Sequence, residues 1–175
     1  GDVQDMVGGA INRIIYQNPI LMEWVHDHDT IEQKSVGNSI IFYRGTFTQK
    51  QAMMIPSGLN IHDEVDASDP GVIVQYETRL QAQEFGGSRW YFSHPSLAGH
   101  GVSVYWEQSD KKEWHITCPP CNHEQILTFP ESIDEDRGEY VCKNCKRSLT
   151  TSERVNGTWK ATSVGEYSGY HVSQL

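Results

Sequence analysis

The stretch Gly58-Leu59-Asn60-Ile61-His62-Asp63-Glu64-Val65-Asp66 decides the fold. Residues 58–62 read as a strand, and the strand runs straight into acidic residues. In open α/β sheets, ligands sit beyond the carboxyl ends of the strands. Asp63 there can hold Mg²⁺, usually through water, and Glu64 can orient and polarise an attacking water. Phosphoryl transfer needs both jobs done at one place. The plain alternative is an acidic loop made of Asp63, Glu64 and Asp66.

Working outward, residues 39–43 (Ser-Ile-Ile-Phe-Tyr) form a short bulky apolar run consistent with a buried strand, ended by Arg44-Gly45. Residues 46–54 read as a short helix leading to Pro56. Ser68-Asp69-Pro70 is a helix start, a capping side chain ahead of proline. Val72, Ile73, Tyr76 and Leu80 supply the buried stripe of that helix, which reaches about residue 83 before Gly86-Gly87 breaks it. Residues 89–92 form a further strand, ending in Ser93-His94-Pro95. Strands alternating with helices over residues 39–108 predict an α/β sheet with parallel members. Upstream, Val3, Val7, Ile11, Ile14 and Ile15 repeat at helical spacing over residues 2–17. Asn18-Pro19 restarts a short helix with Leu21, Trp24 and Val25 as its apolar positions. His26-Asp27-His28-Asp29 reads as a polar loop, or else as part of a metal site.

All four cysteines fall in two Cys-x-x-Cys pairs, Cys118/Cys121 and Cys142/Cys145, with twenty residues between the pairs. Two such turns can close a tetrahedron of sulfurs around Zn²⁺. Two disulfides or two redox dithiols are the alternatives. Residues 113–160 hold few large aliphatic side chains, so a piece this small needs a staple to offset chain entropy. Four thiolates leave no open position for substrate, which makes the expected zinc structural. Short strands at 113–117, 125–129 and 139–141 flank the two turns, in the pattern of a zinc ribbon.

The net charge is −9 over 175 residues. Residues 111–160 carry eight basic and eight acidic side chains, so the whole deficit lies in the remainder. An acidic body argues against wrapping a duplex through phosphate contacts. Lys143, Lys146 and Arg147 on the second knuckle form either a local basic spot or a solvated turn. The cysteine spacing points to a reducing compartment, the cytoplasm. No run of 18 apolar residues exists, so no membrane span is expected.

The order of these features resembles the large terminase subunit of tailed phages, of the lambda-like type. The likeness is carried by Arg44-Gly45, Asp63-Glu64-Val65-Asp66, Arg79, Ser93-His94-Pro95, Gly99-His100-Gly101, Tyr105, Ser109-Asp110, Trp114 and the Cys118/Cys121 knuckle. It continues through Tyr140, the Cys142/Cys145 knuckle, Gly157-Thr158-Trp159 and Gly169-Tyr170-His171-Val172-Ser173-Gln174-Leu175. The resemblance implies an ATP-hydrolysing motor that drives DNA into a preformed capsid, with an associated nuclease. It makes Asp63 the Mg²⁺-side acid, Glu64 the catalytic acid of the second ATPase motif, and Ser93-His94-Pro95 the coupling motif. Its partners would be a small terminase subunit, the portal, duplex DNA and copies of itself in a ring, in the host cytoplasm.

The phosphate-cradling pattern Gly-x-x-x-x-Gly-Lys-Ser/Thr is absent from the sequence. Without those backbone amides and that lysine, the β- and γ-phosphates of ATP have no anchor. In the family that loop precedes, and the nuclease carboxylates follow, the part matched here. The chain therefore reads as a middle slice, and its start at Gly1 without methionine suggests a processed or engineered end. The expected organisation is the later part of a P-loop-type α/β domain over 1–110, a zinc ribbon over 111–160, and a return strand over 161–175. Two other readings remain: a stand-alone zinc-ribbon module that binds protein or nucleic acid, and a metal-dependent hydrolase using Asp63, Glu64 and His62. The second would enlist His94 or His100 as further ligands.

Overall fold

A computed structural model describes residues 2–26, 30–52, 56–82 and 87–173. The chain divides into two compact units, Gly1–His94 and Pro95–Leu175.

The first unit opens with α1 (Asp2–Asp5), a π-helical stretch Met6–Ile11, and α2 (Asn12–Gln17). Gly8 and Gly9 lie in the widened stretch, where missing side chains leave the backbone free to take the larger turn. Val7 and Ile15 are buried, but Ile14 is 56% exposed. The π turn shifts the phase of the helix, which takes Ile14 out of the expected stripe. Asn18 caps α3 (Pro19–Trp24) by accepting from the Ile20 amide at 3.1 Å, with Pro19 in the first turn. The helix is shorter than its apolar pattern suggested: Trp24 is exposed and Val25 already belongs to β1 (Val25–His26). Residues 27–29 of the His-Asp segment lie outside the described residues.

β1, β2 (Gln33–Val36) and β3 (Ser39–Phe42) form an antiparallel sheet in that order. Gly37, at φ 56°, opens the tight turn that joins Val36 to Ser39. Residues 39–43 depart from the expected buried strand. They form an antiparallel hairpin arm with Ile40 and Ile41 half exposed, not a buried member of a parallel sheet. An apolar run gives no information on its partner, and a tight turn brings the nearest one.

Of the helix expected over 46–54, residues 46–48 are not helical and α4 starts at Gln49 (Gln49–Ala52); residues 53–54 lie outside the described residues. β4 (Leu59–His62) and β5 (Ser88–Tyr91) pair in parallel, with His62 opposite Tyr91. Between them runs α5 (Pro70–Glu77), prolonged by a 3₁₀ turn Thr78–Ala82. The expected end near residue 83 and the Gly86 break fall outside the described residues. Asp69 caps α5 by accepting from the amides of Gly71 and Val72. Val72, Ile73 and Leu80 are buried as their spacing required. The described residues thus form a mixed α/β arrangement of small sheets with one parallel pair, rather than a wide parallel sheet.

The second unit contains α6 (Val102–Glu107), β6 (Lys112–Thr117), β7 (Glu124–Gln125), β8 (Ile133–Asp134), β9 (Glu139–Tyr140), α7 (Thr151–Val155) and β10 (Thr158–Ala161). β6 is central, with β10 and β7 antiparallel to it, and β8 pairs with β9. The strand expected over 125–129 is confined to β7. α6 was not foreseen. α7 starts with a capping box, Thr150 and Glu153 exchanging side-chain and backbone hydrogen bonds. After β10 the chain returns beside Ser109 and Lys112, which bridge in parallel to Tyr167 and Tyr170.

Candidate functional site

β4 and β5 run in parallel, so residues that follow their last members emerge at the same end. The ladder continues beyond both strands: the Phe92 amide donates to His62 O at 2.8 Å and the Val65 amide to Phe92 O at 3.2 Å. Asp63 and Glu64 follow β4, and Ser93 follows Phe92 after β5. The Asp66 amide donates to Ser93 Oγ at 3.1 Å, and Ser93 Oγ donates to His94 O at 3.3 Å. The structure therefore brings Asp63, Glu64 and Ser93 to one end of the parallel pair.

The acidic turn is tightly held. Glu64 has left-handed backbone angles, φ 51° and ψ 51°, and precedes a 3₁₀ turn over Val65–Ala67. Its amide donates to Asp63 Oδ1 at 3.1 Å. Val65 is buried and anchors the turn. Asp63 and Glu64 themselves are exposed, which suits carboxylates that meet a hydrated cation and a water.

His62 lies elsewhere in chemical character. It is buried, stacks on Tyr91 at 5.3 Å between ring centroids, and meets Tyr76 edge-on. Burial lowers its pKa, against the opposing pull of Glu77. An imidazole buried against aromatic rings packs as a core residue, whatever its sequence neighbours. His94 and His100 are exposed. Among the described residues, the four cysteines are the one group of three or more His, Cys, Asp or Glu placed to share a metal ion.

Those cysteines sit in two alike knuckles. The Cys118 amide donates to His123 O and the Asn122 amide to Cys118 O. The Cys142 amide donates to Arg147 O and the Lys146 amide to Cys142 O. Asn122 and Lys146, at matching positions, both take left-handed backbone angles, φ 54° and φ 58°. The Sγ atoms of Cys118 and Cys145 are 3.8 Å apart, those of Cys121 and Cys142 3.6 Å, and all four lie within 4.8 Å of one another. A tetrahedron with metal–sulfur bonds of about 2.3 Å has edges of roughly 3.8 Å, whereas a disulfide holds its sulfurs at about 2.05 Å. All four thiols are free. The donor set fits one tetrahedral ion. Burial pushes the Cys118 thiol up to about 11, while the His123 amide draws Cys121 down to about 6.

Around the centre, Ile116 and Leu149 are buried with Cys118 and Cys142, and Trp114, Leu127 and Tyr140 pack against them. Gln125 Oε1 accepts from the Lys143 amide at 2.7 Å and steadies the second knuckle. The basic residues there are partly compensated: Arg147 Nη2 meets Glu153 Oε1 at 2.6 Å and Lys146 Nζ reaches Glu131 O at 3.4 Å. His123 is half-buried beside the first knuckle.

Sequence reasoning missed Ser68, whose hydroxyl donates to the Glu64 carbonyl, and Thr46, whose hydroxyl donates to Ser68. Ser68 was read only as part of a helix start, and no local pattern links Thr46 to it across 22 residues. No described helix is long and apolar enough to cross a membrane.

The family model of the phage terminase large subunit gpA ATPase domain matches residues 1–163. No curated protein and no solved structure matches the chain.

Proposed function

Since the chain belongs to the phage terminase large subunit gpA ATPase family, we propose that these residues carry the second ATPase motif of an ATP-driven DNA-packaging motor, beside a structural zinc ribbon. The observation that carries this reading is the meeting of Asp63, Glu64 and Ser93 at one end of the parallel β4–β5 pair. A stand-alone binding module requires no such convergence.

In this reading Asp63 would hold Mg²⁺, which would supply charge neutralisation for the β- and γ-phosphates. Glu64 accepts hydrogen bonds from the attacking water and orients it toward the γ-phosphorus. Ser93 links the strand after α5 to the acidic turn and couples the state of the site to movement. The sequence holds no Gly-x-x-x-x-Gly-Lys-Ser/Thr, so the phosphate cradle comes from outside these residues. Cys118, Cys121, Cys142 and Cys145 would hold Zn²⁺, which ties β6, β7 and the β8–β9 hairpin into a unit with few aliphatic side chains. Duplex DNA, the portal, a small terminase subunit and further copies of the large subunit are the partners that this role implies, in the host cytoplasm.

The test is phosphate release measured with and without the rest of the motor. The 175-residue chain alone gives no ATP turnover. The whole large subunit hydrolyses ATP, and Glu64→Gln abolishes that activity while nucleotide binding survives. Turnover by the chain alone that is lost in Glu64→Gln overturns the assignment of the cradle, and full activity of Glu64→Gln in the whole subunit overturns the role of Glu64.

A further inference from the structure

Glu64 adopts a left-handed conformation, φ 51° and ψ 51°, that a side chain with a Cβ does not favour. Such a setting persists where the surroundings over-determine it. The Glu64 carbonyl shows how. It accepts from the Ala67 amide at 2.9 Å and from Ser68 Oγ at 3.2 Å. Ser68 Oγ in turn accepts from Thr46 Oγ1 at 2.9 Å. The result is a head-to-tail chain of two hydroxyls ending on the backbone of Glu64. Ser68 is buried, and the Asp69 amide donates to Thr46 O at 3.4 Å, which keeps the Thr46 segment in place.

The Ser68 hydroxyl has no capping duty in the helix that follows. Asp69 already caps α5 by accepting from Gly71 and Val72. Its one donor goes to Glu64.

We propose that Ser68 and Thr46 are positioning residues for Glu64: their hydroxyl chain holds the Glu64 carbonyl, keeps its backbone left-handed, and thereby sets the direction in which its carboxylate leaves the turn. This rests on the reading of Glu64 as the residue that orients the attacking water. Backbone angles fix the Cα–Cβ direction, so relaxation of Glu64 to a right-handed conformation would swing the carboxylate away from its working place. In this role both side chains act through the Glu64 backbone and not on the nucleotide. Their loss therefore lowers the rate of the chemical step and leaves ATP binding alone.

The experiment is ATP hydrolysis by the whole large subunit. Thr46→Val keeps the shape of the side chain and removes the hydroxyl; Thr46→Ser keeps the hydroxyl. Ser68→Ala removes the link itself. Loss of one neutral hydrogen bond predicts a fall in kcat of about three- to tenfold for Ser68→Ala, with KM unchanged. Thr46→Val falls in the same direction, Thr46→Ser stays near the parent, and the double variant Thr46→Val/Ser68→Ala is no worse than Ser68→Ala, because both act through one chain. Glu64→Gln serves as the reference. If Glu64→Gln is inactive while Ser68→Ala and Thr46→Val keep the parent kcat, the positioning role is wrong and the role of Glu64 stands. If Glu64→Gln keeps activity, the underlying reading falls and takes the proposal with it. Additive losses that follow a lowered unfolding midpoint, with Thr46→Ser as poor as Thr46→Val, reduce both residues to packing and overturn the proposal.

Discussion

Ser93 Oγ accepts a hydrogen bond from the backbone amide of Asp66 at 3.1 Å, so the end of one parallel strand grips the acidic turn that follows the other. In the proposed coupling role of Ser93-His94-Pro95, this hydrogen bond is the link to the turn that carries Glu64, two residues before the gripped amide. We expect Ser93→Ala to lower DNA packaged per ATP consumed more than it lowers ATP turnover in the assembled motor. Packaging and phosphate release measured on the same preparation check this, and equal losses in both would remove the coupling role. The Asp66 amide should also exchange its hydrogen faster in the variant, by about three- to tenfold for loss of one neutral hydrogen bond.

Metal content follows from the sulfur geometry. We expect one zinc per chain by elemental analysis, and Cys118→Ser or Cys142→Ser, both at buried cysteines, to lose it. Chelation should unfold the region from β6 to α7 while leaving the β4–β5 pair intact, since structural zinc supplies folding free energy locally. Retention of near-native tryptophan fluorescence from Trp114 after complete zinc removal would contradict the structural role.

Asp110 gives a pH dependence with a definite sign. Its carboxylate takes the Lys112 ammonium and accepts from the Gly169 amide at 3.0 Å, while its carbonyl accepts from Thr162 and Ser163. The hydrogen bond from Lys112, and then that from Gly169, lower its pKa from the usual 3.8. A carboxyl whose folded pKa is depressed contributes stability above its unfolded value, and loses it as pH falls through the folded one. The returning segment around Gly169 and Tyr170 should therefore loosen below about pH 4. Hydrogen exchange of the Gly169 and His171 amides at pH 3 and pH 6 reads this, and Asp110→Asn should flatten the difference.

Gly157 leaves no room for a methyl group. A Cβ there would come within 2.5 Å of Trp114 Cε2 and 2.6 Å of the His115 carbonyl oxygen. Trp114 cannot step aside freely, because its Nε1 donates to Arg154 O at 2.9 Å and its ring meets Trp159 edge-on. Gly157→Ala is expected to cost about 1–3 kcal/mol, the range for overpacking, in thermal or denaturant unfolding. A neutral result would mean that the β6–β10 edge yields without strain.

Much of the site could be read locally. The two Cys-x-x-Cys pairs announced a shared centre because a knuckle places its own two sulfurs, and four of one ligand type in such spacing have few other uses. Asn18-Pro19 and Asp69-Pro70 gave the starts of α3 and α5 for the same reason: a cap acts within three residues. Strand pairing was not local. Ser39–Phe42 carried the pattern of a buried strand, yet it pairs with Gln33–Val36 across a tight turn and leaves Ile40 and Ile41 half exposed. The π turn at Gly8-Gly9 changed the helical phase and exposed Ile14, which a fixed period of 3.6 hides.

Sequence by itself determined which groups could do chemistry here: four thiols in matched spacing, two carboxylates after a strand, a serine after another. Those assignments rest on residue type and short-range geometry, which the chain carries in its order. Only the tertiary structure decided that Ser93 reaches Asp66, that Thr46 and Ser68 hold the Glu64 carbonyl, and that Glu64 itself turns left-handed. Contacts across 22 or 27 residues depend on how the strands register and how the helix between them packs, and no local pattern encodes that.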